Sequence, residues 1–256
     1  MDLFDLKNKS VIITGASRGI GKAIAINFAK LGAKVIISSR NIDSCKEVEK
    51  EILEMGGKAS SVACNISSKN DCENLIKFCI KKFKKIDVLI CNAASNPYYG
   101  RLSEIPDELF DKIMNNNVKS NLWLCKHAIP YLKLNNQGSI IVVSSIAGLQ
   151  GVENLGAYSV SKTADIGLIR SLAVELGKHN ITVNGLCPGI IKTDFARALW
   201  ENPSLLKDVE RQAPLGRIGT VDEVAGAAIL LASKAGAFIT GQVITMDGGV
   251  TIAGKG

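Results

Sequence analysis

The chain has 256 residues, 46% of them hydrophobic and 21% charged, with a formal net charge of +7 and seven cysteines. That length can bury a large core as one sizeable α/β domain, and the apolar share is ordinary for a globular protein. No apolar run approaches the roughly eighteen residues of a membrane span, and the acidic start Met1–Asp5 lacks the basic-then-apolar layout of a secretory signal.

The end Ala253–Gly256 is not a receptor-read address, so a cytosolic protein is the expectation. The cysteines (45, 64, 72, 79, 91, 125 and 187) form no Cys-x-x-Cys pair, and His127 and His179 lie far apart. That argues for reduced, buried thiols and against a metal site or a disulfide framework. Lys81, Lys82, Lys84 and Lys85 contribute to the positive charge, and such a run reads as a solvated helix end. It suits an anionic cofactor or an acidic carrier protein and is no sign of nucleic acid.

Apolar runs and helical patterns alternate along the chain. The expected strands are Ser10–Thr14, Lys34–Ser38, Ala59–Cys64, Asp87–Cys91, Ser139–Ser144, Thr182–Cys187 and Gln242–Met246. They are short, β-branched and almost continuously apolar, as strands buried on both faces must be. Helical patterns fall near 20–31, 43–55, 69–83, 107–133, 157–178 and 221–232. This alternation predicts a single α/β domain over 1–256: a doubly wound, seven-stranded parallel sheet of Rossmann type with helices on both faces.

The first expected strand runs into a glycine-rich turn, Thr14 to Gly21, and then into a helix. Gly15, Gly19 and Gly21 permit a tight turn and close approach of backbone to phosphate, with Ser17, Arg18 and Ile20 between them. The helix start offers free N–H groups and a favourable dipole. A strand–glycine turn–helix unit near the N-terminus is the context of a dinucleotide site. Further on, Tyr158 and Lys162 stand at i and i+4, on one helix face and about 6 Å apart between Cβ atoms. An ammonium so close favours the phenolate, so Tyr158 is expected to exchange its proton below its ordinary value of about 10.

The spacing Gly15-x3-Gly19-x-Gly21 together with Tyr158-x3-Lys162 resembles the short-chain dehydrogenase/reductase family over essentially the full chain. Further matches are Asn92-Ala93-Ala94, Asn117, Ser144-Ser145, Pro188-Gly189 and Thr193. Ala94 departs from the usual Gly, and Asn65 stands where Asp is common beside the adenine. The resemblance implies a catalytic set of Asn117, Ser145, Tyr158 and Lys162. Tyr158 is then the general acid/base, Lys162 also holds the nicotinamide ribose, and Ser145 orients the carbonyl while Ser144 is structural. Asn117 would bend its helix and hold a water that touches Lys162, with Asn115 and Asn116 as bystanders. It also implies that Asn65, Ile66, Asn92 and Ala93 line the adenine and ribose side, with the Asn65 side-chain carbonyl accepting from the adenine. Pro188, Gly189, Ile191 and Thr193 would meet the carboxamide and pyrophosphate, Ile191 through its backbone and Thr193 through its hydroxyl.

After the second expected strand, Ser39 takes the place where an NAD-preferring relative carries a carboxylate. Arg40 follows and Arg18 sits in the glycine-rich turn, so the resemblance implies NADP(H) as cofactor. A plain alternative is that Arg40 stacks on adenine as a surface residue.

Residues 95–99, 150–154 and 194–212 are the candidate substrate walls, the last as a lid carrying Phe195, Leu199 and Trp200. These apolar groups point to a small-molecule ketone, aldehyde or secondary alcohol. Two branches fit the pattern: NADP-dependent carbonyl/retinal reductases, and 3-oxoacyl-acyl-carrier-protein reductases. The second wants basic residues for its carrier where Asn135, Asn136 and Val174 stand. A third possibility, a non-catalytic nucleotide-binding sensor or scaffold, is disfavoured by the intact catalytic set. A homotetramer is expected from the resemblance, with a dimer next.

Overall fold

The computed structural model describes residues 2–135 and 137–253. Asn136, singled out above for a carrier contact, lies outside the described residues. Seven strands form one parallel sheet: β1 (Ser10–Thr14), β2 (Lys34–Ser39), β3 (Lys58–Ala63), β4 (Val88–Cys91), β5 (Gly138–Val143), β6 (Ile181–Pro188) and β7 (Val243–Met246). Their order across the sheet is β3-β2-β1-β4-β5-β6-β7. The register pairs Ile12 with Ile36 on one side and with Leu89 on the other. The order reverses between β1 and β4, and a crevice opens beyond the strand C-termini at such a reversal.

The helices are α1 (Gly19–Lys30), α2 (Ile42–Glu54), α3 (Lys69–Phe83), α4 (Asp107–Met114), α5 (Ser120–Leu134), α6 (Gly156–Leu176), α7 (Arg197–Trp200), α8 (Pro203–Gln212) and α9 (Val221–Ala232). Successive strand residues face opposite sides, so the apolar runs feed two separate cores. Val11, Ile13, Val35, Ile37 and Ile90 pack with Phe28 of α1, Ile52 of α2 and Leu231 of α9. Ile12, Ile36, Leu89, Ile140 and Val142 pack with Leu75 of α3, Leu124 of α5 and Ile169 of α6. Each such side chain contributes about 1.5–3 kcal/mol when fully buried. This is the doubly wound sheet that the alternation predicts.

All seven cysteines are free and buried. Lys81 and Lys82 occupy the last turn of α3, and Lys84 leaves that helix with φ of 67°, so the lysine run is a helix end. Among the described residues no helix is long and apolar enough to cross a membrane, and no group of His, Cys, Asp and Glu could hold a metal ion.

Two features depart from the expected elements. The helix expected over 107–133 is interrupted by a π-helical stretch, Asn115–Lys119. The segment 194–212 is not loop throughout but carries α7 and α8, the latter capped by the Asn202 side chain with Pro203 in its first turn.

Candidate active site

The glycine-rich turn sits at the sheet reversal because Asn92 ties it there. Its side-chain amide donates to the carbonyls of Thr14 (2.9 Å) and Gly15 (3.1 Å), while Thr14 Oγ1 accepts from the amides of Asn92 and Ala93. Side chains are excluded at two points. A Cβ on Gly21 would stand 2.4 Å from the Gly15 carbonyl oxygen, and one on Gly15, at φ +64°, 2.9 Å from Asn92 Nδ2. Arg18, the residue before α1, makes no side-chain cap, so the first N–H groups of α1 face the crevice unengaged by it. A closely approached backbone and an uncapped helix start fit a dinucleotide pyrophosphate. Asn92 and Ala93 brace this cradle.

Thr193 stands over the same turn, since a Cβ on Gly19 would lie 3.4 Å from its methyl group. Its hydroxyl donates to the Ile191 carbonyl at 3.3 Å. Ile191 is buried and bridged to Gly219 through groups of Ile190 and Lys192, so its own N–H takes no part in that bridge. Pro188 closes β6, and Gly189 passes so near β7's end that a Cβ would meet Asp247 at 2.9 Å.

At the adenine side the placement of Asn65 differs from expectation. Its Oδ1 accepts from the Ser67 amide (3.2 Å) and the Ser67 hydroxyl (2.7 Å). Both lone pairs are engaged, so in this geometry Asn65 offers its N–H₂ and not an acceptor. Ile66 is buried behind it. Ser39 donates to the Asn41 carbonyl at 3.1 Å, and Arg40 is exposed beside it.

The end of β5, which leads to Ser145, packs against α6, which carries Tyr158 and Lys162. Ser144 Oγ donates to the Lys162 carbonyl at 2.9 Å, and Thr163 Oγ1 donates to the Gly148 carbonyl at 3.0 Å. Gly148 lies so close to Lys162 that a Cβ would stand 2.7 Å from its carbonyl carbon. Ser144 is thus buried and bonded to backbone. Ser145 Oγ accepts from the Ala147 amide at 3.1 Å, which leaves its O–H free to donate. Lys162 is 1% exposed, and its ammonium lies 5.6 Å from the Tyr158 ring centroid. Nζ donates to the Val143 carbonyl at 3.0 Å and to Asp165 Oδ2 at 3.2 Å.

The π-helical stretch places Asn117, fully buried, behind this group. Asn117 Oδ1 accepts from the Ser95 amide (2.8 Å), and its Nδ2 donates to the Ser95 carbonyl and to Ser161 Oγ, both at 3.0 Å. Ser161 Oγ in turn donates to the Tyr158 carbonyl at 2.7 Å. The helix irregularity expected at Asn117 is present. Its neighbours are not idle, for Asn116 donates to Ser95 Oγ (2.9 Å) and Asn115 to the Ser67 carbonyl (3.5 Å).

Around the mouth, Gly100 bridges to Leu155 and joins the loop after β4 to the approach to α6. An open depression of about 590 Å³ beside it is lined by Arg101, Leu102, Ser103, Val152, Glu153, Asn154 and Gly156. None of the four expected catalytic side chains lines it. Phe195 is 67% exposed with its ring centroid 6.4 Å from that of Tyr158. Trp200 instead anchors the segment, donating from Nε1 to the Thr193 carbonyl at 2.8 Å beneath the Lys192 ammonium. Asn135 donates to the Ile86 carbonyl at 2.7 Å, just before β4 begins. Asn135 therefore sits at the end of the sheet where β4 begins, opposite the strand C-termini that open on the crevice.

Residues 15–251 match the family described as enoyl-(acyl carrier protein) reductase. The cow protein dehydrogenase/reductase SDR family member 4 is 38% identical over 247 residues, 95% of this chain and 88% of that one. The Caenorhabditis elegans protein of the same name is 37% identical, covering 95% of each chain. Among solved structures, a 7α-hydroxysteroid dehydrogenase with NADH and 7-oxo glycochenodeoxycholic acid superposes with a TM-score of 0.93 at 35% identity, over 97% of this chain and 96% of its own. A protein of Beutenbergia cavernae solved with NADP at low occupancy gives 0.93 at 30% identity, over 98% and 99%. With the glycine-rich cradle at the sheet reversal and the β5–α6 site, these likenesses show that the chain belongs to the short-chain dehydrogenase/reductase family, oxidoreductases acting on alcohol and carbonyl groups.

Proposed function

We propose that this protein is an NADP-dependent reductase of hydrophobic ketones or aldehydes, able to run in reverse on the matching secondary alcohols. The observation that carries the reading is the Tyr158–Lys162 pair, with a buried ammonium 5.6 Å from the centroid of the phenol ring, on the helix that packs against the strand end leading to Ser145. In reduction Tyr158 donates its proton to the substrate oxygen, and Lys162 faces the negative charge left on the phenolic oxygen. Ser145 donates a hydrogen bond to the same substrate oxygen and so orients the carbonyl. In oxidation the proton returns to Tyr158. The bound dinucleotide supplies or accepts the hydride.

Gly15, Ser17, Arg18, Gly19, Ile20 and Gly21 would hold the pyrophosphate from one side and Thr193 from the other. The Ile191 N–H and the Pro188–Gly189 turn would meet the carboxamide, and the third N–H of Lys162 the nicotinamide ribose. The relatives with bound cofactor include one with NADH and one with NADP, so the case for NADP is local. It rests on Ser39, which brings no negative charge, and on Arg40, an exposed guanidinium free to hold a 2′-phosphate. An exposed Phe195 beside Tyr158 gives a substrate an apolar partner, and the segment 194–212 would act as the lid.

The test is steady-state NADPH oxidation with an aromatic dione, a hydrophobic aldehyde and an acetoacetyl thioester, with NADH alongside. Dione or aldehyde turnover with NADPH is expected. Preference for the thioester would move the function to fatty-acid synthesis, and tight NADPH binding without turnover would make the protein a sensor. The assembly we infer is a homotetramer. Its interfaces would cover Val174 and Phe238, which are 87% and 104% exposed in the isolated chain. Light scattering that returns a monomer mass would remove it.

A further inference from the structure

Lys162 does not stand alone in its buried slot. Asp165, one helical turn on, is 0% exposed, and its carboxylate accepts from Lys162 on Oδ2 (3.2 Å) and from Asn121 Nδ2 on Oδ1 (2.9 Å). The same Asn121 amide group donates to the main-chain carbonyl of Asn117 at 2.6 Å. A closed chain of side chains thus runs from the π-helical stretch through Asn121 and Asp165 to the ammonium.

We propose that Asp165, held by Asn121, is a positioning residue for the reaction, which keeps Lys162 charged and fixes the direction of its free N–H toward the site. An ammonium has three donors; Val143 and Asp165 take two, and the third is left for the crevice. A buried charge without a partner is driven to its neutral form. Burial alone pulls Lys162 down, and the carboxylate of Asp165, then the phenol of Tyr158, more than offset it, so the ammonium is held above its ordinary range. Burial pushes Asp165 up, and Lys162 and Asn121 draw it back only in part. The other titratable groups facing the pair are Cys187 on β6 and Cys91 on β4. Burial raises the Cys187 thiol, and the hydrogen bond with Cys125 together with burial raises Cys91.

This inference rests on the reading of Tyr158 and Lys162 as the reacting pair, and the experiment separates the two. The pH profile of kcat/KM for alcohol oxidation is measured for the wild type and for Asp165→Asn. The falling limb reports loss of the Lys162 ammonium. Loss of the neighbouring anion favours the neutral amine, so the falling limb is expected to move to lower pH. A second readout needs neither cofactor nor turnover: thermal melts of Asp165→Leu, Lys162→Met and the double variant. Each single change leaves a buried charge unpaired and should cost on the order of 10 °C, and the double variant should recover most of it. An unmoved falling limb, or single losses that simply add in the double variant, would overturn the role of Asp165. Full turnover in Tyr158→Phe would overturn the site reading and leave the melts to judge the ion pair.

Discussion

Replacing Tyr158 by Phe is expected to lower kcat for carbonyl reduction by about 10²–10⁴-fold, the usual worth of a positioned general acid. The dissociation constant for NADPH should stay within a few-fold. The phenyl ring keeps the shape that packs near Phe195, and the contacts that lock β5's end to α6 use Ser144, Gly148 and Thr163, not the phenol oxygen. Ser145, Lys162 and the glycine-rich cradle therefore stay in place, and only the proton donor is removed. A split between lost turnover and kept binding identifies a group that acts in the transition state alone. Retained turnover would pass the acid role to another group, and equal loss of binding would make Tyr158 a structural residue. Stopped-flow hydride transfer beside fluorescence titration of NADPH gives both numbers.

The strands are legible in the sequence because the physics that buries them is one-dimensional. A strand covered on both faces must be apolar at every position, and Val-Ile-Ile and Ile-Ile-Val-Val runs carry that demand openly. The glycine-rich turn is legible for a related reason, since positions 15 and 21 tolerate no side chain and the sequence must show it. Tyr158 and Lys162 can be paired from spacing because both lie on α6, and Ser145 is placed by register against them.

What the sequence hides depends on contacts between distant segments. The π-helical stretch Asn115–Lys119 leaves no mark in the helical pattern, and only the family resemblance announces an irregularity at Asn117. Helix α8 does carry a signal, Asn202 followed by Pro203, the pairing of a helix cap with a first-turn proline, but the aromatics of the same segment overshadow it. The acceptor expected of Asn65 is already filled by its neighbour Ser67, a contact that spacing alone does not reveal. Asp165 is hidden for a plainer reason. An acid three residues after Lys162 reads as an ordinary surface pair, and only the fold shows that this face of α6 is turned into the core. The clue is its company, Ile166 and Ile169, on a helix face that has to be apolar.

Exchanging Ser39 for Asp and Arg40 for Ala in one variant is expected to invert the cofactor preference. Truncating a charged partner of a phosphate costs about 2–5 kcal/mol, so Arg40→Ala alone should weaken NADPH roughly 30-fold or more and leave NADH nearly unchanged. The Ser39 hydroxyl already donates to the Asn41 carbonyl, and its oxygen brings no charge to the end of β2. An Asp there sets a carboxylate against the 2′-phosphate and, in NADH, offers the 2′-hydroxyl an acceptor. The two changes act on opposite sides of one balance, so the double variant should lose NADPH further while gaining NADH. Asn41 remains as the cap of α2, and the helix start therefore does not shift with the exchange. Equal losses for both cofactors in Arg40→Ala would mean that Arg40 lies on the adenine ring and not on a phosphate. A Ser39→Asp variant that kept its NADPH affinity would show that the ribose sits elsewhere, and the placement of the whole adenine half would then have to move with it.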